Sequence, residues 1–439
     1  MIKLWRTFLL SLFLTLLSLS LTVRGIGQSN ELQFSSDEVI PEKRTAAQEI
    51  NGQLDSKGVS KKVLEKYLER AITMVYLLMP EKPEGNREYQ YHADDIRMIK
   101  NIGAKFIGRA IYRWGGESLL NKPAFWDTAR SIINDLHNYD PEIMFQGCLF
   151  EIITGEVNQV PVPAWVFEGY NLPVESRNFS YDSMLNRQGK FVDHWRKGSS
   201  VPDISERETQ LWFYFLAGSY IKLGCEALHL GQIELIGMND PGRINWAKTI
   251  EKIRGFAAVH ARRQWVLLDA HTPRGGMVKD GRSLIDFNSF PLRIRPIPEK
   301  PYEGKLQVGY LDAIFNKSLG CISPSGWKTD HLPYLVEFDN FGRSKSPNVA
   351  DTNSHFIWGW DEISWLSLQP ETYRNNWLVY AHNWLRSTDP NGHLQMPGNR
   401  MISCPNETQG SYRANTKSAA CPIGYSQEET IKSLWQRKR

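Results

Sequence analysis

Apolar positions along the chain fall into two alternating textures. Longer segments carry apolar residues at helical spacing, and between them lie short runs dense in β-branched and aromatic residues with no helical period. The helical texture appears first at residues 60–78, where Val63, Leu64, Tyr67, Leu68, Ile72 and Val75 predict one amphipathic helix. It returns at 121–138, 207–224, 243–263 and 371–387, with a weaker candidate at 305–320. The β-rich runs are 104–114, 141–153, 225–237, 265–272, 284–290, 332–342, 355–362 and 393–400, eight in all. Strands apolar on both faces and separated by helices are the pattern of a parallel sheet covered by helices. Eight of them in about 300 residues predict an α/β fold, a closed (β/α)8 TIM barrel, rather than an open doubly wound sheet. No Gly-rich G-x-G-x-x-G turn follows the first run, so dinucleotide binding has no support. The helix-free stretch 343–354 and the poorly helical connection 290–331 predict a distorted barrel. Residues 154–205, rich in Pro, Asn and aromatics, predict a large ordered loop after the second run, on the face where barrels keep their active sites.

Polar residues inside these apolar runs raise the question of chemistry. In LPYLVEFDNFG, Glu337 and Asp339 leave one face of an otherwise hydrophobic strand. Burying them costs several kcal/mol unless something pairs with them or uses them. The other runs repeat the feature: Glu151 in the second, Gln232 and Glu234 in the third, Asp269 and His271 in the fourth, Asp286 and Asn288 in the fifth, Asp361 and Glu362 in the seventh. A barrel brings such late-strand residues together at one mouth. Each also has a structural reading. Glu234 or Glu337 can pair with Arg109 or Arg113 of the first run, Asp286 and Asp361 can cap helices, and His229 reads as a packed core histidine. Asp269 and His271 share a strand face, which favours a joint role.

Composition narrows the partner. The chain of 439 residues is 41% hydrophobic and 23% charged, as globular proteins are. Its net charge of +4 comes from 52 basic and 48 acidic residues without a basic stripe, so no nucleic-acid partner is expected, and the run 434–439 reads as a solvated tail. A short cationic start followed by the apolar run 8–23 predicts a signal peptide over residues 1–27, with Gly25 and Gly27 before Gln28 as the cleavage region. The alternative is a retained anchor. With cleavage the protein is exported, periplasmic or extracellular, with no stable membrane anchor. A polar leader then covers 28–58, the catalytic barrel 59–402 and a tail 403–439. Among five cysteines, Cys404 and Cys421 flank a turn-rich segment and are expected to bridge, stapling that tail, while Cys148 and Cys225 read as small buried hydrophobes. No C-x-x-C or H-E-x-x-H spacing occurs, so neither a zinc site nor another cofactor is expected.

The strand rhythm over residues 91–400, with carboxylates late in segments such as QIELIG and VEFDNFG, resembles the (β/α)8-barrel glycoside hydrolases at superfamily level, without matching one family. The resemblance implies a carbohydrate partner and two carboxylates, one protonating the leaving oxygen and one acting as nucleophile or base. Glu234, Glu337, Asp339 and Asp269 are the catalytic candidates. His271, Glu151, Asp361 and Arg113 are binding candidates, and Trp165, Trp358 and Trp360 are candidate sugar-stacking faces. Many such families place the acid on the fourth strand and the nucleophile on the seventh, whereas the fourth run here offers Asp269 and no Glu. Two alternatives stay open: a metal-dependent barrel hydrolase using Asp269, His271, Glu234 and Glu337 as ligands, and a carbohydrate-binding barrel without chemistry.

Overall fold

The computed structural model describes residues 58–79, 90–272, 275–310, 317–404 and 410–436. The expected signal peptide and nearly all of the polar leader lie outside them. No helix among the described residues is long and apolar enough to cross a membrane.

Eight parallel strands close on themselves. They are β1 (Ala71–Met74), β2 (Phe106–Ile111), β3 (Met144–Cys148), β4 (Ala227–Gln232), β5 (Leu267–His271), β6 (Phe287–Pro291), β7 (Tyr334–Glu337) and β8 (Gly392–Met401). Each pairs with the next, and β8 returns to β1 through Ile72 opposite Met396. The expected (β/α)8 barrel is therefore present, but two of its strands differ from the expectation. The segment 60–78 is not one helix. Helix α1 (Lys61–Leu68), capped by the Ser60 side chain, ends after Leu68, and the residues beyond form β1. A strand buried on both faces shows no solvent-facing polar alternation, so its Ile and Thr merged with the helical period before it. Conversely, HFIWGWDE is not a strand. Trp358 at φ 48° and Gly359 at φ 82° turn the chain there, leaving isolated bridges at Ile357, Trp360 and Arg343. Counted from β1, the first six runs each move up one place and the run at 393–400 stays eighth.

Helices α2 (His92–Ile102), α3 (Pro123–Tyr139), α4 (Arg207–Leu223), α5 (Ile244–His260), α6 (Glu362–Ser367) and α7 (Glu371–Thr388) surround the barrel. Proline at the first position starts α3, and Gly224 at φ 117° stops α4. Between β6 and β7 the described residues hold two short antiparallel pairs instead of a helix, and a further short pair lies between β5 and β6. The insert after β3 is ordered, its ends zipped by Ile153 opposite Ser200.

The C-terminal segment is not a loose tail. Strand β9 (Ser411–Arg413) adds antiparallel to β8, and α8 (Glu428–Gln436) buries Ile431, Leu434 and Trp435. Glu428 accepts from Arg97 at 2.7 Å and from Asn101 at 2.6 Å, and Asn415 donates to Asp94 at 2.8 Å. Cys404 and Cys421 are separate buried thiols, so the expected bridge is absent, and these ion pairs and apolar contacts hold the segment instead. The reading of 434–439 as solvated fails at Leu434 and Trp435 for the same reason.

Candidate active site

The barrel interior is layered. At its N-terminal end Phe106, Met144, Ala227, Leu267, Phe287 and Leu335 form an apolar plug closed from below by Val63, Leu64, Tyr67 and Leu68 of α1. Above it every strand contributes a polar side chain: Thr73, Arg109, Gln146, His229, Asp269, Ser289, Glu337 and Gln395, none more than 4% exposed. Such a layer is tolerable only if its groups satisfy one another. Asp269 accepts from Gln146 Nε2 at 2.7 Å, from His229 Nδ1 at 2.8 Å and from the Ser289 hydroxyl. Gln395 Nε2 donates to Thr73 Oγ1 at 2.7 Å across the β8–β1 seam. Burial, with Arg109 adding to it, holds the His229 imidazole down to about 4 in spite of Asp269. The ring is therefore neutral near pH 7. Its Nδ1 carries the hydrogen, because the facing carboxylate can only accept.

Arg109 and Glu337 meet across this layer. The Arg109 guanidinium donates to both Glu337 oxygens, through Nη2 to Oε1 and through Nε to Oε2 at 3.3 Å. His271 Nε2 lies 3.3 Å from Arg109 Nη2 and 3.7 Å from Glu337 Oε1, and Arg400 Nη2 approaches Oε2 at 3.9 Å. Burial alone would raise the Glu337 carboxyl, but Arg109, then Arg400 and the His271 contact outweigh it and hold it well below the usual carboxylate range. Glu337 is a buried carboxylate at the C-terminal end of β7, held in its ionised form near neutral pH. Asp339, two residues on and 26% exposed at its side chain, sits between Arg400 at 3.5 Å and Arg293 at 4.0 Å. Arg293 also pairs with the buried Glu362 at 2.9 Å.

The remaining candidates divide. Glu151, just past β3, accepts from the Gln232 backbone at 2.8 Å and from Gln232 Nε2 at 2.9 Å, which fixes the end of β4. Gly231 at φ +72° is required there, since a Cβ would lie 2.3 Å from Glu151 Oε2. Glu234 is in the helical turn after β4, half exposed, and accepts from Arg243 at 3.1 Å. Asp361 does not face the mouth. It caps α6 by accepting from Ser364 N at 2.8 Å and Gly342 N at 2.7 Å, and burial pushes its carboxyl up to about 6. Arg113 points outward to Tyr220 of α4 and donates to Gly115 O.

The three tryptophans chosen as stacking faces are structural. Trp165 packs on Phe256 and Lys222 in the helix layer, while Trp358 and Trp360 are buried with their Nε1 donated to Glu303 O and Asn348 Oδ1. The aromatic rim of the mouth comes from others. Trp114, 38% exposed, meets Trp195 edge-on at 4.9 Å and Phe150 at 5.5 Å, and Trp195 Nε1 is anchored to Glu151 O at 2.8 Å. Asp269, His271, Glu234 and Glu337 do not form a ligand set: Asp269 is saturated by Gln146, His229 and Ser289, Glu337 is held by Arg109, and Glu234 by Arg243. Among the described residues no group of three or more His, Cys, Asp or Glu is placed to hold a metal.

Gln146, Ser289 and Arg400 were not singled out from the sequence. A lone Gln in the apolar run MFQGC and an Arg in HLQMPGNR carry the same signal as the buried carboxylates, a polar group that an apolar strand must satisfy.

No family profile and no curated protein matches the chain. Solved structures with similar chain traces include a GH113 β-1,4-mannanase (12% identity over 84% of this chain and 99% of that one, TM-score 0.38). They also include a maltogenic α-amylase from Thermotoga neapolitana (9%, 84% and 78%, TM-score 0.44). A third is a GH113 β-mannanase from Alicyclobacillus acidocaldarius (13%, 83% and 96%, TM-score 0.39). At these TM-scores no residue correspondence is drawn, and the barrel rests on its own strand pairing. The chain has the closed eight-stranded parallel barrel with surrounding helices, the (β/α)8 architecture at superfamily level, and matches no single family.

Proposed function

We propose that the protein is an exported glycoside hydrolase acting on an oligo- or polysaccharide at the C-terminal mouth of the barrel. The observation that carries this reading is Glu337, a buried carboxylate kept ionised by Arg109 at the end of the seventh strand. Glycoside cleavage passes through an oxocarbenium-like transition state, whose positive charge needs a fixed carboxylate beside it. Glu337 is suited to that role and unsuited to donating a proton. The donor is then Glu234, on the turn after the fourth strand once β1 is counted, so the apparent departure from the fourth-and-seventh pattern came from the unrecognised first strand. Asp339, reachable from the mouth, is the second candidate for the base role. Trp114 and Trp195 supply the apolar faces on which a pyranose ring stacks.

A panel of oligosaccharides and aryl glycosides, with and without chelator, tests the reading. Glycoside turnover that chelator leaves untouched supports it. Chelator-sensitive hydrolysis of phosphodiesters or acetyl groups would replace it with metal chemistry, and binding without turnover would mark a carbohydrate-binding barrel. Export rests on the apolar run 8–23 and is tested by N-terminal sequencing of secreted material, where a start near Gln28 is expected and an intact Met1 in membranes would contradict it.

A further inference from the structure

Arg109 reaches Glu337 from a backbone that an arginine seldom adopts. Its φ is +60°, in the left-handed region that costs a non-glycine residue about 1 kcal/mol or more. The strain sits in a bulge of β2, where the register against β3 slips between Ile107 and Ile111. Bulges of this kind re-aim a side chain. Here Gly108 lies so close to Gln395 that a Cβ would come within 2.1 Å of Nε2, and the next residue, Arg109, turns its guanidinium across the barrel. A strained conformation persists only when its surroundings over-determine it. The Arg109 backbone N–H has left the regular ladder and donates to Gln146 Oε1 at 3.0 Å. The other end of that amide is fixed, since Gln146 Nε2 donates to Asp269, itself pinned by His229 and Ser289. Gln146 is 2% exposed and spends both ends of its side chain on this bridge.

We propose that Gln146 is a positioning residue of the site: by accepting the Arg109 backbone N–H it fixes the left-handed bulge of β2 that aims the Arg109 guanidinium at Glu337. The role of Glu337 in catalysis rests on the function proposed above, whereas the Gln146–Arg109–Glu337 linkage does not. Asp269, His229 and Ser289 act one step further back by locking the amide in the orientation that presents oxygen to Arg109.

The charged and titratable groups facing Glu337 are Arg109 from β2, His271 from β5 and Arg400 from β8, with Asp339 sharing Arg400 and Cys148 Sγ 4.0 Å from Arg109. Loosening Arg109 leaves the others in place, so its effect can be read from the titration of Glu337. The experiment is a carboxyl-carbon NMR titration of full-length protein labelled at glutamate Cδ, with Glu337→Gln assigning the resonance. Parent protein should show Glu337 titrating below the ordinary glutamate range. In Gln146→Met, of similar length but without an acceptor, the midpoint should rise by at least about one pH unit, a tenfold weaker hold on the ionised form. Gln146→Glu should restore the parental midpoint. A carboxyl buried beside Asp269 takes up a proton, so its hydroxyl donates to Asp269 while its carbonyl accepts from Arg109.

A folded Gln146→Met with an unmoved midpoint overturns the proposal and leaves Gln146 a packing residue, as does a moved midpoint that Gln146→Glu fails to restore. If the methionine variant does not fold, Gln146→Leu is read by the same titration. Because no substrate is involved, the two readings fail separately: glycoside turnover that survives Glu337→Gln would remove the functional proposal and leave this linkage standing.

Discussion

Two layers of the barrel interior, a few residues apart along the same strands, are equally dry and chemically opposite. Phe106 and Leu335 in the lower layer are at most 1% exposed, and Arg109 and Glu337 above them are at 3%. Burial therefore does not tell the layers apart; what differs is how each is made tolerable. The lower layer gains about 25 cal/mol for each Å² of apolar surface withdrawn from water, against α1 as a stopper. The upper layer gives up that gain and compensates each polar group with a neighbour: Asp269 with three donors, Glu337 with Arg109, Gln395 with Thr73. A buried ion pair of this kind is rarely more stabilising than well-packed apolar residues of the same volume. Stability thus explains the lower layer, and the proposed function would give the upper layer its reason.

The comparison breaks most visibly in the lower layer. Phe106→Ala should cost about 3–5 kcal/mol of stability, read as a lowered denaturant midpoint, and should leave the specific activity of the folded fraction near parental. An equally large loss of activity per folded molecule would mean that the layers are not separable.

The upper layer should instead reveal itself in acid. His229 has a folded pKa of about 4, below its unfolded value near 6.5. The unfolded chain therefore binds the proton first as pH falls. Stability from keeping the ring neutral is complete above about pH 6.5 and is lost between there and pH 4, on the order of 3 kcal/mol. His393, in β8 and held down by burial to about 3, adds a loss in the same window. His229→Gln should flatten the pH dependence of the melting temperature between pH 6.5 and 4 by its own share only. A curve left as steep as the parent's would show that His229 is not held neutral.

A smaller effect is expected where a candidate from the sequence turned out to be a cap. Asp361→Ala should cost about 1 kcal/mol, the usual price of an N-cap, and leave turnover unchanged. A larger loss of turnover than of stability would return Asp361 to the site.

These outcomes also mark where the sequence was informative. Strands β2 to β7 and β8 were legible because polar breaks and turn residues bounded each apolar run. β1 was not, because AITM is buried on both faces, its one polar residue Thr73 included, and sits directly behind a helix whose period it happened to continue. HFIWGWDE looked like a strand from its aromatics, and only the left-handed turn at Trp358 and Gly359 shows otherwise. In the site, Glu337 and Asp269 stood out as charges in apolar surroundings. Whether they faced each other, an arginine or a helix end depended on long-range register, which no local pattern contains. The tryptophans failed for a related reason: an indole in a sequence says nothing of which side of the barrel wall it occupies, and Trp165 packs on the helices while Trp114 and Trp195 line the rim.

The most direct test of the account is the turnover of Glu337→Gln on a glycoside that the parent cleaves, with folding verified by near-ultraviolet circular dichroism. The substitution keeps the shape and one of the two oxygens that accept from Arg109 while removing the charge. Turnover should fall by a factor on the order of a hundred or more in a folded protein. Near-parental turnover in that variant would mean that the ionised carboxylate at the end of β7 is structural, and that the polar layer beneath the mouth does not serve the chemistry assigned to it.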